Sequence, residues 1–249
     1  MPIHEVTRIR REIKRRTATV SSVEQLTPVM LRIVFTSDEF SDFESAAPDD
    51  HVKITFEHQD DPAAEPAKRD FTPRSFDKNS LTIDFALHDA GPAIDWAKKA
   101  KVGDSLTIGG PRGSSVVPDD FDWYLFIGDE TALPAIGRWV EQLRPGVPVT
   151  TFVVTESADD RQRFKTAADH KDVWVVRSQS ADDGAALLKE LARYETPKGG
   201  GFIWIAGEAS VAKTLRDYFL NERQHPRAWV KASGYWKRGI ADANMKIED

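Results

Sequence analysis

Trp123-Tyr124-Leu125-Phe126-Ile127-Gly128-Asp129-Glu130-Thr131 joins an unbroken apolar run to a glycine, two acids and a threonine. A short apolar run without alternation marks a strand buried on both faces, as in a parallel sheet covered by helices. The glycine allows a sharp turn, and a helix is expected next, with Leu133, Ile136, Val140 and Leu143 on one face. The texture recurs downstream. Val147–Val154, Val173–Val176 and Phe202–Ala206 read as buried strands; 185–194 and the stretch carrying Val211, Leu215, Tyr218 and Phe219 read as helices. Buried strands alternating with amphipathic helices predict a doubly wound α/β domain. Ligands of such sheets bind beyond the carboxyl ends of the strands. Two strands end alike there, in Ile127-Gly128-Asp129-Glu130 and Ile205-Ala206-Gly207-Glu208. The pair points to a nucleotide or substrate crevice, although each acid by itself also suits a helix cap.

Upstream the pattern is different. Residues 15–24, 29–36, 51–56 and 81–87 are short β-type runs; Met30–Phe35 and His51–Phe56 alternate as strands with one buried face. Residues 58–67 read as a loop, 77–80 as a turn, 105–108 as a further strand, and 92–100 as the one clear helix of this half. Short strands at regular spacing predict a small antiparallel barrel. The change of texture places the boundary near residues 117–122, giving domains 1–118 and 119–249.

Within the barrel half, Lys68-Arg69-Asp70-Phe71-Thr72-Pro73-Arg74-Ser75-Phe76 carries an Arg-aromatic-Thr-Arg group. Such a group suits a flat, anionic cofactor: the ring takes the flat part, the hydroxyl a polar ring atom, the guanidinium a phosphate in a forked contact. Strict alternation sends Phe71 and Thr72 to opposite sides, so the strand must twist or end there if both are to reach one ring. The helix that starts after Gly91-Pro92 offers free N–H groups to a phosphate, and the same residues also suit plain helix capping.

Hydrophobic residues make up 40% of the 249-residue chain and charged residues 30%, which places it among globular rather than disordered chains. A net charge of -6 argues against a general nucleic-acid grip. The basic run Arg8, Arg10, Arg11, Lys14, Arg15 and Arg16 reads as a solvated edge strand, with a nucleic-acid arm as the alternative. No apolar h-region follows it and no run of about 18 apolar residues occurs, so neither a secretory signal nor a membrane span is expected. The chain has no cysteine, which removes disulfides and cysteine-ligated clusters and is compatible with a reducing cytoplasm. None of the six histidines forms an i, i+4 pair, and no nucleophile–His–acid set stands out.

Taken in order, Arg69-Asp70-Phe71-Thr72-Pro73-Arg74, Leu87-His88, Gly91-Pro92-Ala93, Trp96-Ala97, Gly110-Pro111-Arg112-Gly113-Ser114, Gly128-Asp129-Glu130-Thr131-Ala132-Leu133-Pro134-Ala135, Ala206-Gly207-Glu208 and Gly234-Tyr235-Trp236-Lys237-Arg238-Gly239 resemble the siderophore-interacting proteins. These are flavin-dependent ferric-siderophore reductases related to ferredoxin–NADP reductases. The resemblance implies an FAD-binding β-barrel domain and an α/β domain for NADPH or NADH. It implies that Arg69, Phe71, Thr72 and Arg74 form the flavin strand, with Gly91, Pro92, Ala93 and Trp96 on the pyrophosphate helix and His88 and Ser114 nearby. Gly128, Asp129, Thr131, Ala132, Pro134, Gly207, Glu208 and Trp236 would belong to the cofactor sites. Lys53, Arg112, Lys237 and Arg238 would hold the anionic iron chelate, unless they are ordinary surface charge. The family usually has tyrosine where this chain has Phe71, so one hydroxyl contact to the flavin is missing.

The reaction so implied is electron transfer from NAD(P)H through FAD to Fe(III) in a siderophore, in the cytoplasm, with no catalytic side chain and no protein-held metal. After the second α/β strand, Thr155-Glu156-Ser157 brings an acid that favours a free ribose 2′-OH, while Arg161 and Arg163 favour a 2′-phosphate; both signals are present and the reading leans toward NADPH. A ferredoxin-like protein is an alternative donor. The competing readings are a non-catalytic flavin or siderophore carrier and a general flavin or ferric reductase with another acceptor.

Overall fold

The computed structural model describes residues 4–57, 65–87, 91–177, 182–239 and 245–246. Most of the loop expected at 58–67, and His88, lie outside these residues. The chain divides into two compact units, Glu5–Pro118, and Asp119–Asp249 together with Met1–His4.

The first unit is built on a seven-stranded antiparallel sheet. Its strands are β2 (Arg15–Thr27), β3 (Met30–Thr36), β4 (Val52–Phe56), β5 (Ala67–Phe71), β6 (Pro73–Phe76), β7 (Ser80–Ala86) and β8 (Ser105–Gly109), in the order β5-β4-β8-β2-β3-β7-β6. A two-stranded ribbon of β1 (Thr7–Arg10) and β9 (Gly113–Val116) accompanies it. The sheet curls because β2 serves two neighbours in succession, β8 through Arg15–Thr19 and β3 through Thr19–Thr27. Register shifts at Val20/Ser22 and Gln25/Thr27 bend β2 between them, as bulges do. Alternation then gathers Ala18, Val20, Ile33, Phe35, Ile54, Phe56, Ile83, Phe85 and Ile108 into one core. Each fully buried aromatic or branched side chain contributes about 1.5–3 kcal/mol to that core. Helix α1 (Pro92–Lys99) covers it with Ala93 and Ala97, and Trp96 packs against Phe35, Phe56 and Phe85.

The second unit holds a mixed sheet in the order β12-β11-β10-β13-β14-β15: β10 (Trp123–Gly128), β11 (Pro148–Thr155), β12 (Asp169–Val176), β13 (Gly201–Glu208), β14 (Val230–Trp236) and β15 (Met245–Lys246). All its pairings are parallel except β14 with β15. Helices α2 (Leu133–Gln142), α3 (Asp183–Leu191) and α4 (Ala209–Asp217) complete the unit. Every residue of β10 and of β13 is buried, as the unbroken apolar runs require. Trp123, Leu125, Ile127, Ile203 and Ile205 pack with Leu187, Ala212 and Leu215, and Trp139 of α2 meets Phe126 and Phe202. The chain enters the sheet at β10, winds outward through β11 and β12, and returns to the other side of β10 as β13. That reversal leaves a crevice where β10 and β13 end.

Candidate functional site

The flavin-type motif lies where the first sheet closes on itself. β5 and β6 are the two outer strands of the sheet, yet they are consecutive in the chain and joined by Thr72. The strand therefore ends at Phe71, and the single continuous strand of the simplest alternation pattern is not present. Pro73, which has no N–H to give to a ladder, starts the new edge strand. Phe71 is half-buried, its ring 4.5 Å from that of Phe85 and 6.1 Å from that of Phe56, so the core holds it from behind. Thr72 is buried at the junction. Arg74 lies on β6 with its Nε 3.9 Å from Asp84 of β7, while Asp84 accepts a forked pair of bonds from Arg32 at 2.7 and 2.8 Å. Arg69 shares the Phe71 side of β5 and donates to the Lys68 carbonyl at 2.8 Å.

The start of α1 carries no side-chain cap, although Gly91 occupies the N-cap position and Pro92 the first turn. A Cβ added at Gly91 would meet nothing within 4 Å. Amides without a side-chain cap among the described residues, together with a half-buried aromatic, a buried hydroxyl and arginines at one strand junction, fit FAD in their chemistry. Ser114 is committed within the protein: its hydroxyl donates to Asp50 at 2.7 Å and accepts from Arg11 and from the Ala46 amide at 3.3 Å. A cofactor contact there must displace one of these bonds. Trp96 likewise turns its ring to the aromatic core and anchors α1.

In the second unit a narrow crevice lies at the ends of β10 and β13, lined by Gly128, Asp129, Gly207 and Glu208, with Asp183 and Leu187 of α3 and Val211 of α4. Asp129 knits it together. One carboxylate oxygen accepts from the amide and hydroxyl of Thr131, at 2.9 and 2.5 Å; the other accepts from the Glu208 amide at 3.0 Å and the Trp236 indole at 2.8 Å. Gly207 has φ +148 and a Cβ there would fall 2.5 Å from Asp129 Oδ2, so the turn requires glycine. Gly128 is equally constrained, because its Cβ would lie 2.4 Å from that of Ala132. Glu208 caps α4, accepting from the Ser210 hydroxyl and from the Ser210 and Val211 amides; these bonds hold its carboxyl below the usual range against the opposing effect of burial. Both acids are thus caps whose carboxylates are spent on the protein itself. They shape the crevice, whose lining combines the backbone at Gly128 and Gly207 with apolar side chains such as Leu187 and Val211. Ala132 and Pro134 are buried where α2 begins.

A feature with no counterpart among the motifs lies beside this crevice. Arg177, just past β12, donates to both oxygens of Glu130 at 2.9 Å, to Glu156 at 3.0 Å and to Asp183 at 3.0 Å. Glu130 is 3% exposed, and burial, aided by Asp129, raises its carboxyl above the ordinary value despite Arg177. Burial opposes the charge on Arg177, and its carboxylate partners outweigh that and keep it charged.

Of the expected chelate ligands, Lys53 is half exposed and paired with Asp70 across β4 and β5 at 2.8 Å, and Arg112 is exposed. Lys53 stands opposite Gly109, close to the turn that carries Arg112. In the other unit Lys237 is half-buried, while Arg238 is exposed and donates its amide to Glu208 at 3.3 Å. Among the described residues no group of three His, Asp or Glu side chains is placed to hold a metal. No helix among them is long and apolar enough to cross a membrane.

The family model described as Siderophore-interacting protein matches residues 121–239, and that described as Siderophore-interacting FAD-binding domain matches residues 19–65 and 60–115. The NADPH-dependent ferric-chelate reductase of Escherichia coli (strain K12) is 33% identical over 248 residues, covering 92% of this chain and 95% of its own. The ferric vibriobactin reductase ViuB of Vibrio cholerae is 26% identical over 230 residues, covering 84% of each chain. The crystal structure of a siderophore utilization protein from T. fusca superposes with a TM-score of 0.87 at 34% identity, over 96% of this chain and 99% of the other. The chain belongs to the siderophore-interacting protein family.

Proposed function

We propose that this protein is an NADPH-dependent flavoprotein that reduces Fe(III) within a siderophore and so releases the iron. The observation that carries the reading is the closure of the first sheet at Thr72, which sets Phe71, Thr72 and Arg74 together within a family whose first domain is described as FAD-binding. When bound, FAD accepts the two electrons of a hydride from NADPH and yields them singly to two ferric chelates. The side chains position and counter charge. Phe71, backed by Phe85 and Phe56, presents its free face to the flavin ring. Thr72 offers its hydroxyl to a ring atom. Arg74 and the amides that open α1 hold the pyrophosphate. The crevice at Gly128 and Gly207 receives the nicotinamide end of NADPH, with Asp129, Glu208 and Trp236 as positioning residues.

Lys53, Arg112, Lys237 and Arg238 receive the anionic chelate. Fe(II) is a softer, less charged ion than Fe(III), so hard oxygen ligands release it on reduction. Arg161 and Arg163 are exposed after β11 and suit a 2′-phosphate, and the Escherichia coli relative is named NADPH-dependent; NADPH is therefore the donor we assign. A ferredoxin-like donor has no support among the relatives. We place the reaction in the cytoplasm, where NADPH is supplied.

The test is direct. Purified protein should be yellow or should bind added FAD; anaerobic NADPH should bleach it, and a ferric siderophore with a ferrous trap should restore the colour. A protein that binds no FAD sinks the reading. Flavin that NADPH leaves oxidised favours a carrier, and ferric citrate turned over as well as siderophores favours a general reductase. A second expectation concerns Phe71→Tyr, which restores the phenol usual in the family. One hydrogen bond is worth about 0.5–1.5 kcal/mol, so FAD affinity should rise about two- to tenfold in a flavin-quenching titration. An unchanged affinity would show that no flavin atom lies within reach of that hydroxyl.

A further inference from the structure

The basic N-terminal run belongs to none of the family motifs, yet one of its arginines stands beside Lys53, one of the cations assigned to the chelate; a role for it there depends on that assignment. In the first sheet β4, β8 and β2 are neighbours, and both Lys53 and Arg15 stand opposite Gly109. Directly opposed residues project from the same face of a sheet. That face is the outer one: Val52, Ile54 and Phe56 are buried and Lys53 is not, while Arg15 is exposed and Arg16 buried. Lys53 and Arg15 therefore flank a position with no side chain, on the order of 10 Å apart at their Cα atoms, two strand spacings. A Cβ on Gly109 would lie 3.7 Å from the Lys53 carbonyl oxygen and 3.9 Å from both Cγ of Arg15, whose stem runs along the glycine, and Cγ2 of Ile13, so an apolar methyl borders the space between the two cations.

The neighbouring charges single Arg15 out. Lys14 and Arg16 both pair with Asp42, Arg11 pairs with Glu44, and Lys53 pairs with Asp70. Among the described residues Arg15 has no carboxylate partner. Across the sheet the row reads Asp70, Lys53, Gly109, Arg15, with one acid at its end.

We propose that Arg15 is a further chelate-binding residue. With Lys53 it forms a two-cation cleft over Gly109 that favours anionic, oxygen-rich ferric chelates over neutral ones, and Asp70 tempers the Lys53 half. Gly109 adds no side chain of its own between the two cations, so a complex can rest against the strand beside Ile13. The guanidinium brings paired donors suited to catecholate or carboxylate oxygens.

The test compares two hexadentate oxygen complexes of different charge: the trianionic ferric tris-catecholate and the neutral ferric tris-hydroxamate. Reduction by the flavin-loaded protein is followed with a ferrous trap at saturating NADPH. Arg15→Gln should raise KM for the trianion about fivefold, the scale of one exposed charge contact, leaving kcat and the KM of the neutral complex unchanged. The difference should fade as salt is added. Asp70→Asn should act oppositely and lower the trianion KM. Flavin content and melting temperature of Arg15→Gln should match wild type. An unchanged trianion KM in Arg15→Gln, or an equal rise for both complexes, overturns the proposal. Lys53→Gln tells how far the failure reaches: if that variant raises the trianion KM, only Arg15 is removed from the site, and if it does not, the chelate is not bound on this face at all.

Discussion

Arg177→Ala should lower the unfolding free energy by about 3–5 kcal/mol near neutral pH, the cost of stranding a buried charge. Arg177 is the only group bonded to both oxygens of Glu130 among the described residues, and Glu130 is almost wholly shielded from water. Glu156 loses little, being mostly exposed, while the buried Asp183 loses an ion-pair partner as well and adds to the cost. The pH dependence separates a stranded charge from lost packing. Burial already raises the Glu130 carboxyl above its ordinary value with Arg177 in place. Without the guanidinium it rises further. An acid with a raised folded pKa binds its proton more tightly when folded, so its contribution is present below the unfolded value and is lost as pH climbs through the folded one. The gap between wild type and Arg177→Ala should therefore be small at about pH 5 and wide at about pH 8, since ordinary Glu titrates near 4.3. Urea denaturation at both values measures it. Glu130→Gln added to Arg177→Ala should recover much of the loss at the higher pH; a loss equal at both pH values, with no recovery, would assign the effect to packing.

The elements legible in the sequence were those whose burial is written in one continuous pattern. Trp123–Ile127 and Phe202–Ala206 are apolar on both faces and became the two central strands of the parallel sheet. The helix expected at 92–100 is α1, Pro92–Lys99, because Gly91-Pro92 sets its start. What escaped were polar edges. β9 (Gly113–Val116) carries no apolar stripe and is held by its ladder to β1, part of the basic run that reads as an edge strand, and β14 (Val230–Trp236) sets only the partly buried Val230 and Ala232 against the core. β12 begins at Asp169, ahead of the expected Val173, since its first residues pair with β11 while remaining largely exposed.

The candidate site divides in the same way. The motif residues were visible because their types and order are unusual. Their partners were not, because a partner is defined by register. Asp84 stands out only as a charge inside the otherwise apolar Leu81–Ala86 run, and nothing in the chain says that Arg32, far upstream, is its cross-strand neighbour. Arg177 is one arginine after an apolar strand until Glu130, Glu156 and Asp183 converge on it. For Asp129 and Glu208 the geometry shows the helix-cap role that each acid also suited in the sequence. Placed by sequence at a ligand edge, they act as caps that determine where the backbone of that edge lies.

Arg74→Ala should weaken FAD binding about 10- to 100-fold, the range for losing a charged hydrogen-bonding partner worth about 1.5–3 kcal/mol. Protein purified without added flavin should then be largely colourless. The fold should survive, because the buried carboxylate beside Arg74 keeps its better partner: Arg32 holds Asp84 through two bonds, at 2.7 and 2.8 Å, whereas Arg74 stands 3.9 Å away. Arg74→Lys keeps the charge and loses the fork, so it should fall between alanine and wild type. Flavin fluorescence quenching gives the dissociation constants, and the melting temperature of the flavin-free protein shows whether the barrel is intact. Full flavin occupancy in Arg74→Ala would refute the phosphate role. If instead Arg74→Lys matched wild type, charge alone would account for it, and the amides at the start of α1 would have to supply the directional contacts.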